Sequence, residues 1–481
     1  MASSFLGTLY NITDMAWIGL LGSKAVAGVG VGGMFTWLSQ GLASMARMGG
    51  QVKVAQSLGR GEKEKAHGFA QTAVQLSTFM GLAYAILCLI FVRQMVGFFK
   101  LNDPEAVSAA LSYTKIACGL IVFSFLTVTL TGIYTAQGDS KTPFLANLVG
   151  LVTNMILDPV LILGPGPFPK LGVTGAAIAT VTAQFIVMSI MIICVIKQKK
   201  ENVLKGTHLL AKIPAPYLNG ICRIGIPTAI QGMAYCIISM VLTRMVSAFG
   251  AEAVATQRVG GQIESVSWNT ADGFASALNS FTAQNYGAGK MNRVRKGYHA
   301  SLWTVGIWGL IITLVFVFAP NTIATIFFHE PKAITIAVGY LIIIGFSEGF
   351  MCIELTTIGA LSGLGMTRLC SIISIIFTGS RIPLAIFLKN TSLGLHGSGG
   401  HFLPHRLSKE LSLYASFLGY QKTNIRNNYV NSSVTKLPEH LNTKKSEARL
   451  ISRLRFSFTV HNRNNEWICP LQKAGYVKIR I

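Results

Sequence analysis

Two polar residues interrupt the otherwise apolar stretch TNMILDPVLILG, residues 153–164. Asn154 and Asp158 are four residues apart, so a helix would project both side chains from one face. Placing an ionisable group inside a bilayer costs roughly 2.5–3.5 kcal/mol, which makes it a functional candidate. Amide and carboxylate oxygens are suitable ligands for a hard cation such as Na⁺, and a desolvated carboxylate can instead take up a proton. The structural alternatives are a polar contact beside a kink at Pro159, and a hydrogen bond between helices from Asn154.

Further acidic residues lie in apolar surroundings. Asp14 lies in the first apolar segment, near its start. The second half of the chain has four such residues: Glu264, Asp272, Glu348 and Glu354. We interpret Glu264 and Glu354 as a candidate cation site of the second half. The alternative is that either of them forms an ion pair with Arg244 or Arg258.

The composition places these residues in a membrane protein. Of the 481 residues, 51% are hydrophobic and only 12% are charged, whereas about a quarter of a soluble domain is charged. A bilayer crossing takes roughly 20 apolar residues. Eleven candidate spans fall at about 1–21, 25–46, 68–92, 110–136, 142–164, 173–196, 220–249, 252–281, 299–327, 333–364 and 367–388.

The net charge of +23 orients the chain and does not require a nucleic acid partner. Basic residues concentrate in three loops, at about 47–65, 197–212 and 290–296, and these alternate with poorly basic loops such as GSK at 22–24 and NDPEA at 102–106. Basic loops face the cytosol in membrane proteins. The pattern predicts a multi-pass protein of the cell (inner) membrane, in contact with lipid and with a cytosolic amino terminus.

An internal repeat divides the spans into two halves. GLLGSKAVAGVGV at 19–31 aligns with SAFGAEAVATQRV at 247–259, and AQSLGRG at 55–61 aligns with AQNYGAG at 283–289. Gly22 pairs with Gly250, and Gln56 with Gln284, so both matches have an offset of 228 residues. We expect the glycines of the second motif pair to shape turns. We assign six spans to each half, the last span of the second half being missing from the eleven. An even number of spans gives the two halves the same orientation, so they are parallel repeats.

Parallel repeats related by an axis along the membrane normal are typical of secondary transporters. No P-loop is present in the sequence, so ATP is not expected to drive transport. The spacing of the cysteines and histidines gives no metal motif. We therefore expect a monomeric transporter, not an enzyme, that needs no cofactor beyond its coupling ion.

Several motifs together resemble the multidrug and toxic compound extrusion (MATE) family of antiporters. They are LYNITDMAWIGLLGSKAVAGVG, LGRGEKEKA, QGDSKTP, NMILDP, LGVTGAAIAT, AFGAEAVA and QNYGAGK, and they cover about residues 1–397 in register. The resemblance implies an all-α fold in which two six-helix lobes form a V-shaped bundle. It also implies export of organic cations and drugs in exchange for H⁺ or Na⁺.

In this resemblance, Asp14, Asn154 and Asp158 match the polar cluster that binds the coupling ion in the amino-terminal lobe. Two carboxylates and an amide would suit either Na⁺ or a shared proton. One alternative function is a flippase for lipid-linked oligosaccharides, from a related superfamily. That function would need a strongly basic central cavity, and the spans contain very few Lys or Arg residues. The other alternative is a truncated membrane protein that does not transport.

The chain departs from the family at both ends. The proline expected at the start of the first helix would precede Met1, so we interpret the chain as amino-terminally clipped. Residues 389–481 contain 15 Lys and Arg against 4 Asp and Glu and no run that could span. We expect a frameshift beyond about Gly397, so that the last helix is missing; a genuine basic tail is the alternative.

The predicted organisation follows from the repeat and the loops. It comprises an amino-terminal lobe at 1–197, a cytoplasmic linker at 198–218, an incomplete carboxy-terminal lobe at 219–397 and a basic, disordered or frameshifted tail at 398–481.

Overall fold

The computed structural model describes residues 17–389 apart from 19, 100, 102, 165–168, 198–201, 247–250 and 328–330. The chain divides into two units, Met1–Phe417 and Leu418–Ile481, and the described residues all belong to the first. The predicted tail, the missing last helix and the clipped start therefore lie outside the described residues.

The described residues form twelve helices and no strand. The first lobe contains α1 (Ser23–Gly59), α2 (Lys63–Gly97), α3 (Pro104–Gly119), α4 (Val122–Ala136), α5 (Lys141–Leu163) and α6 (Val173–Lys197). The second contains α7 (Ala215–Val246), α8 (Ala251–Gly287), α9 (Met291–Phe318), α10 (Pro320–Phe327), α11 (Pro331–Gly363) and α12 (Thr367–Lys389). The expectation of an all-α fold of two parallel repeats is confirmed.

The helix bounds reproduce the repeat. Helices α1 and α8 begin at residues 23 and 251 and end at 59 and 287, so both of their ends are displaced by 228 residues. Helices α2 and α9, which follow them, begin at 63 and 291 with the same displacement. The offset found in short motifs therefore extends to whole helices, because homologous segments end where the same turn residues occur. Gly61 and Gly289 occupy the turns with positive φ of 79° and 71°, a conformation that favours glycine.

Six of the described helices are long and apolar enough to cross a membrane: α2, α5, α6, α7, α9 and α11. Helices α3 and α4 would add a seventh span if counted together, since they pass this test as a pair bent by 47°. The remaining described helices, α1, α8, α10 and α12, do not pass this test. The count of eleven spans therefore stays a prediction.

The two lobes pack together along α1 and α7. Gly41 lies against Gly232, where an added Cβ would be 3.1 Å from the opposite Cα. Farther along α1, toward its end at Gly59, Gly225 of α7 lies against the backbone of Met45, and Gly49 lies against Ile221. Small residues allow helices to approach closely in a membrane, where close packing replaces the hydrophobic driving force.

The poorly basic loops meet at one end of the first lobe. The Nζ atom of Lys24 lies 3.0 Å from a carboxylate oxygen of Asp103 and 3.0 Å from one of Glu105. Two loops that the charge pattern assigned to the same side of the membrane are therefore neighbours.

We expect a cysteine at Lys63 to be inaccessible from outside the cell, because this residue begins α2 in a basic loop. In intact cells, a membrane-impermeant maleimide should leave Lys63→Cys unlabelled and should label Lys24→Cys at the opposite end. Permeabilisation should then expose Lys63→Cys. Labelling of Lys63→Cys in intact cells would reverse the assigned topology.

Candidate functional site

The polar pair predicted in the fifth span is fully inside the first lobe. Both residues belong to α5, and the exposed fractions are 0% for Asp158 and 1% for Asn154. Pro159 lies inside the helix directly after the carboxylate. Since proline has no N–H, the helix lacks its usual hydrogen bond to the carbonyl of residue 155. The site therefore combines a buried acid with a local weakening of the backbone ladder.

The Asn154 amide contacts Asp158 and joins it to α6. As placed, the amide nitrogen donates to Asp158 Oδ1 over 3.3 Å. In the reversed amide orientation, the nitrogen donates to Asp158 Oδ2 over 2.9 Å and the oxygen accepts from the backbone N–H of Thr180 over 3.1 Å. The reversed orientation satisfies both ends of the amide, so we adopt it. Asn154 thus holds one carboxylate oxygen in a fixed position.

The described end of the first segment packs beside this site. Ile18 is fully buried against Ile162, one turn beyond Asp158, and against Ala176 and Ala177 of α6. Trp17 packs against the same cluster. Asp14, the third predicted member of the ion site, lies outside the described residues, so its place at the site stays a prediction.

The second-lobe acids lie on two neighbouring helices. Glu264 is half-buried in α8, whereas Glu354 in α11 is 8% exposed. The sequence also contains Glu348, which is fully buried in α11. The alternative partners, Arg244 and Arg258, have side chains outside the described part of the chain. A cation site at Glu264 and Glu354 therefore stays a prediction.

A polar contact joins the two lobes at the end that carries the basic loops. Gln51 of α1 is fully buried, and its Nε2 donates to Asn279 Oδ1 over 3.2 Å and to Ser280 Oγ over 2.9 Å. Gln51 and Asn279 are themselves 228 residues apart, so repeat-related positions meet each other. Equivalent residues of a two-fold repeat can meet only near its axis. This pair therefore marks the pseudo-symmetry axis.

Two repeat-related glutamines make reciprocal bonds around that axis. Gln56 Nε2 donates to the carbonyl of Gly363, the last residue of α11, over 3.0 Å. Gln284 Nε2 donates to the carbonyl of Ala136, the last residue of α4, over 2.6 Å. Carbonyls in the last turn of a helix lack a partner within the helix. Each lobe therefore satisfies a helix end of the other lobe.

Glycine at two further equivalent positions permits this approach. A Cβ at Gly59 would overlap the backbone carbonyl of Gln284, and a Cβ at Gly287 would overlap that of Gln56. Both glycines end their helices, α1 and α8. The expectation that they shape turns is thus incomplete, since their lack of a side chain lets the lobes touch. We call Gln51, Gln56, Gly59, Asn279, Gln284 and Gly287 the inter-lobe contact.

Aromatic and charged residues extend the contact away from the basic loops. The rings of Trp37 in α1 and Tyr235 in α7 meet edge to face, with centroids 6.2 Å apart. Arg47 Nη2 lies 4.0 Å from Asp272 Oδ2 across the lobes. Trp37 and Tyr235 are 45% and 42% exposed, so part of each ring stays accessible.

Sequence reasoning aligned Gln56 with Gln284 but did not recognise their role. It missed Gln51 and Asn279, although the 228-residue offset relates them in the same way. The available signal was that both are polar residues at equivalent positions of long helices. The repeat does not show which face of each helix packs against the other helix.

The fold defines a class of protein: a two-lobe, multi-pass membrane transporter. The MatE family model matches residues 1–160 and 227–387, which covers both repeats. The chain belongs to the MatE family and is a MATE-family efflux transporter of the membrane, not an enzyme. This confirms the family and the fold expected from the sequence motifs.

Relatives of known sequence support the assignment. The chain is 30% identical over 410 residues to the "Probable multidrug resistance protein NorM" of Thermotoga maritima, covering 83% of this chain and 85% of that protein. It is 24% identical over 343 residues to the "FAD transporter" of Shewanella oneidensis, covering 71% of this chain and 75% of that protein.

Solved structures share the fold. A MATE protein in complex with MaL6 superimposes with a TM-score of 0.82 at 21% identity, over 89% of this chain and 95% of that one. A multidrug resistance MATE transporter of the MOP superfamily, described as outward-facing, superimposes with a TM-score of 0.80 at 21% identity, over 88% and 94% of the two chains.

Proposed function

We propose that this protein is an antiporter that exports organic cations in exchange for H⁺ or Na⁺ by alternating access. The observation that carries the proposal is the Asp158–Asn154 pair, a fully buried acid in the first lobe of a MATE-family protein. Burying a carboxylate in a membrane costs free energy, so its presence there indicates a function. Export of drugs is consistent with the multidrug resistance named for the Thermotoga maritima relative.

The coupling site acts through Asp158, with Asn154 fixing one of its oxygens and Asp14 as the predicted second carboxylate. A bound cation or proton neutralises Asp158, and loss of that ion leaves a buried charge. Because burial disfavours the charged form, the two states prefer different surroundings. Ion and substrate then compete by stabilising different arrangements of the two lobes.

The inter-lobe contact supplies one of those arrangements. It closes the protein at the end of the basic loops through Gln51, Gln56 and Gln284. Every one of these hydrogen bonds joins one lobe to the other, so separating the lobes breaks them together. Neutral hydrogen bonds contribute about 0.5–1.5 kcal/mol each, which is weak enough for a reversible conformational change.

The exposed parts of the Trp37 and Tyr235 rings support organic cations as substrates. Aromatic faces attract cations through their quadrupoles, and these two rings come from opposite lobes. A substrate that contacts both rings would sense the separation of the lobes. The nearby pair of Arg47 and Asp272 adds little net charge to this region, because the two side chains are opposite in sign.

We expect the reconstituted full chain to drive a fluorescent organic cation such as ethidium against its gradient only when an ion gradient is imposed. Proteoliposomes would receive either a pH gradient or a Na⁺ gradient, each without the other, and dye quenching would be recorded. Collapse of the active gradient by a matching ionophore should stop transport. Equal dye movement with and without both gradients would contradict ion-coupled antiport.

A further inference from the structure

Lys53 lies beside the inter-lobe contact, and each lobe contributes an arginine that repels its charge. Lys53 lies in α1 about two turns before its end, Arg60 caps that helix, and Arg223 lies in α7. The Lys53 side chain reaches the second lobe, since a Cβ added at Gly220 would be 3.5 Å from Lys53 Cε. This group of Lys53, Arg60 and Arg223 is called the basic cluster below.

An aromatic wall holds Lys53 in place. Its Nζ lies 5.9 Å from the ring centroid of Phe69, and that ring meets Tyr217 edge to face with centroids 4.9 Å apart. The approach requires glycine twice: a Cβ at Gly220 would be 2.8 Å from the Phe69 ring, and one at Gly68 would be 2.6 Å from the Tyr217 ring. Lys53 is therefore positioned by packing and is half-buried, unlike a freely solvated surface lysine.

The basic cluster carries excess positive charge. Burial, followed by repulsion from Arg60 and Arg223, lowers the pKa of Lys53, a residue beyond the predicted span at 25–46. Among the described residues, no carboxylate forms an ion pair with Lys53. Glu62 lies 4.0 Å from Arg60 but also 2.9 Å from Lys65, so its one charge is shared. Lys53 is half-buried, whereas Arg60 and Arg223 are exposed. A half-buried charge beside like charges is costly without a counter-ion.

We propose that the basic cluster binds a phosphate group at the cytoplasmic membrane surface, from an anionic lipid headgroup or from free phosphate. Arginine presents several N–H donors to phosphate oxygens, and lysine adds a point charge. Basic pockets between membrane helices on the cytoplasmic side bind such headgroups. The anion would replace the missing negative charge.

The position of the cluster gives the anion a regulatory effect. Lys53 and Arg60 belong to the first lobe, and Arg223 to the second, so the closed arrangement brings their charges together. A bound phosphate reverses that repulsion and favours the state in which the lobes touch, because it binds that state better. Binding itself does not depend on the ion-coupled antiport proposed above.

The test uses the purified full chain in phosphatidylcholine nanodiscs, with thermal unfolding as the readout. One arm increases the fraction of phosphatidylglycerol, and the other titrates inorganic phosphate without anionic lipid. The double variant Lys53→Ala/Arg223→Ala is compared with Arg295→Ala/Lys296→Ala, which removes two exposed charges from α9. Arg60→Gln changes an exposed residue and serves as a second probe of the cluster.

We expect about a fivefold rise in the half-saturating anion concentration for each cation removed, so about 25-fold for Lys53→Ala/Arg223→Ala and fivefold for Arg60→Gln. The α9 control should stay within about twofold of the wild type. Stabilisation by phosphatidylglycerol alone assigns the lipid headgroup, and stabilisation by inorganic phosphate as well assigns phosphate in general. No stabilisation in either arm, or equal shifts in the cluster and control variants, would overturn the proposal.

Discussion

Asp158→Asn is expected to reduce ion-driven dye export to the rate of protein-free liposomes while leaving the protein folded. The substitution preserves the shape of the side chain but removes the group that takes up a proton or binds a cation strongly. Asp158 is fully buried and contacts Asn154. Bulk water therefore cannot take over the role of its carboxylate in binding the ion. Because a neutral amide is cheaper to bury than a carboxylate, we expect thermal unfolding at an equal or higher temperature.

The matched control is Glu105→Gln, which makes the same chemical change at an exposed carboxylate. Glu105 pairs with Lys24 at the end of the lobe that carries the poorly basic loops, and its side chain is 76% exposed. Its loss should leave transport within about twofold of the wild type, since exposed ion pairs contribute little. Full ion-driven export by Asp158→Asn in proteoliposomes would show that Asp158 is structural, and the coupling site would have to be sought in the second lobe.

Gly59→Ala and Gly287→Ala should each shift the protein away from the arrangement described here and slow transport. A Cβ at either position overlaps a backbone carbonyl of the other lobe, and a carbonyl held in a helix cannot rotate away. Overpacking of this kind costs roughly 1–3 kcal/mol. A cost of about 2 kcal/mol would lower the ratio of closed to separated lobes about thirtyfold.

Pulsed electron paramagnetic resonance measures this shift directly. Spin labels would be attached through Glu64→Cys in the first lobe and Arg295→Cys in the second, both exposed positions, after replacement of the native cysteines. The glycine variants should populate a longer distance than the wild type and lose most dye export. Gly33→Ala, on the same helix α1 with no neighbour within 4 Å of the added Cβ, should keep the wild-type distance distribution. An unchanged distribution in Gly59→Ala would refute the role of this contact in closure.

The sequence by itself determined the membrane class, the repeat and the first-lobe polar pair. Asn154 and Asp158 could be placed on one face because four residues correspond to about one helical turn, whatever the helix packs against. The offset of 228 residues predicted equivalent helices, and both ends of α1 and α8 obey it. These inferences depend on local geometry and on comparison of one half of the chain with the other.

Only the tertiary structure decided which residues meet across helices. Gln51 contacts Asn279, Asn154 contacts Thr180, and Lys53 reaches Gly220, yet none of these pairs is close in the sequence. A contact between two helices depends on their crossing angle and on the rotation of each about its axis, which close packing at glycines fixes. The repeat shows that Gln56 and Gln284 are equivalent, but only packing places each of them on a helix end of the opposite lobe.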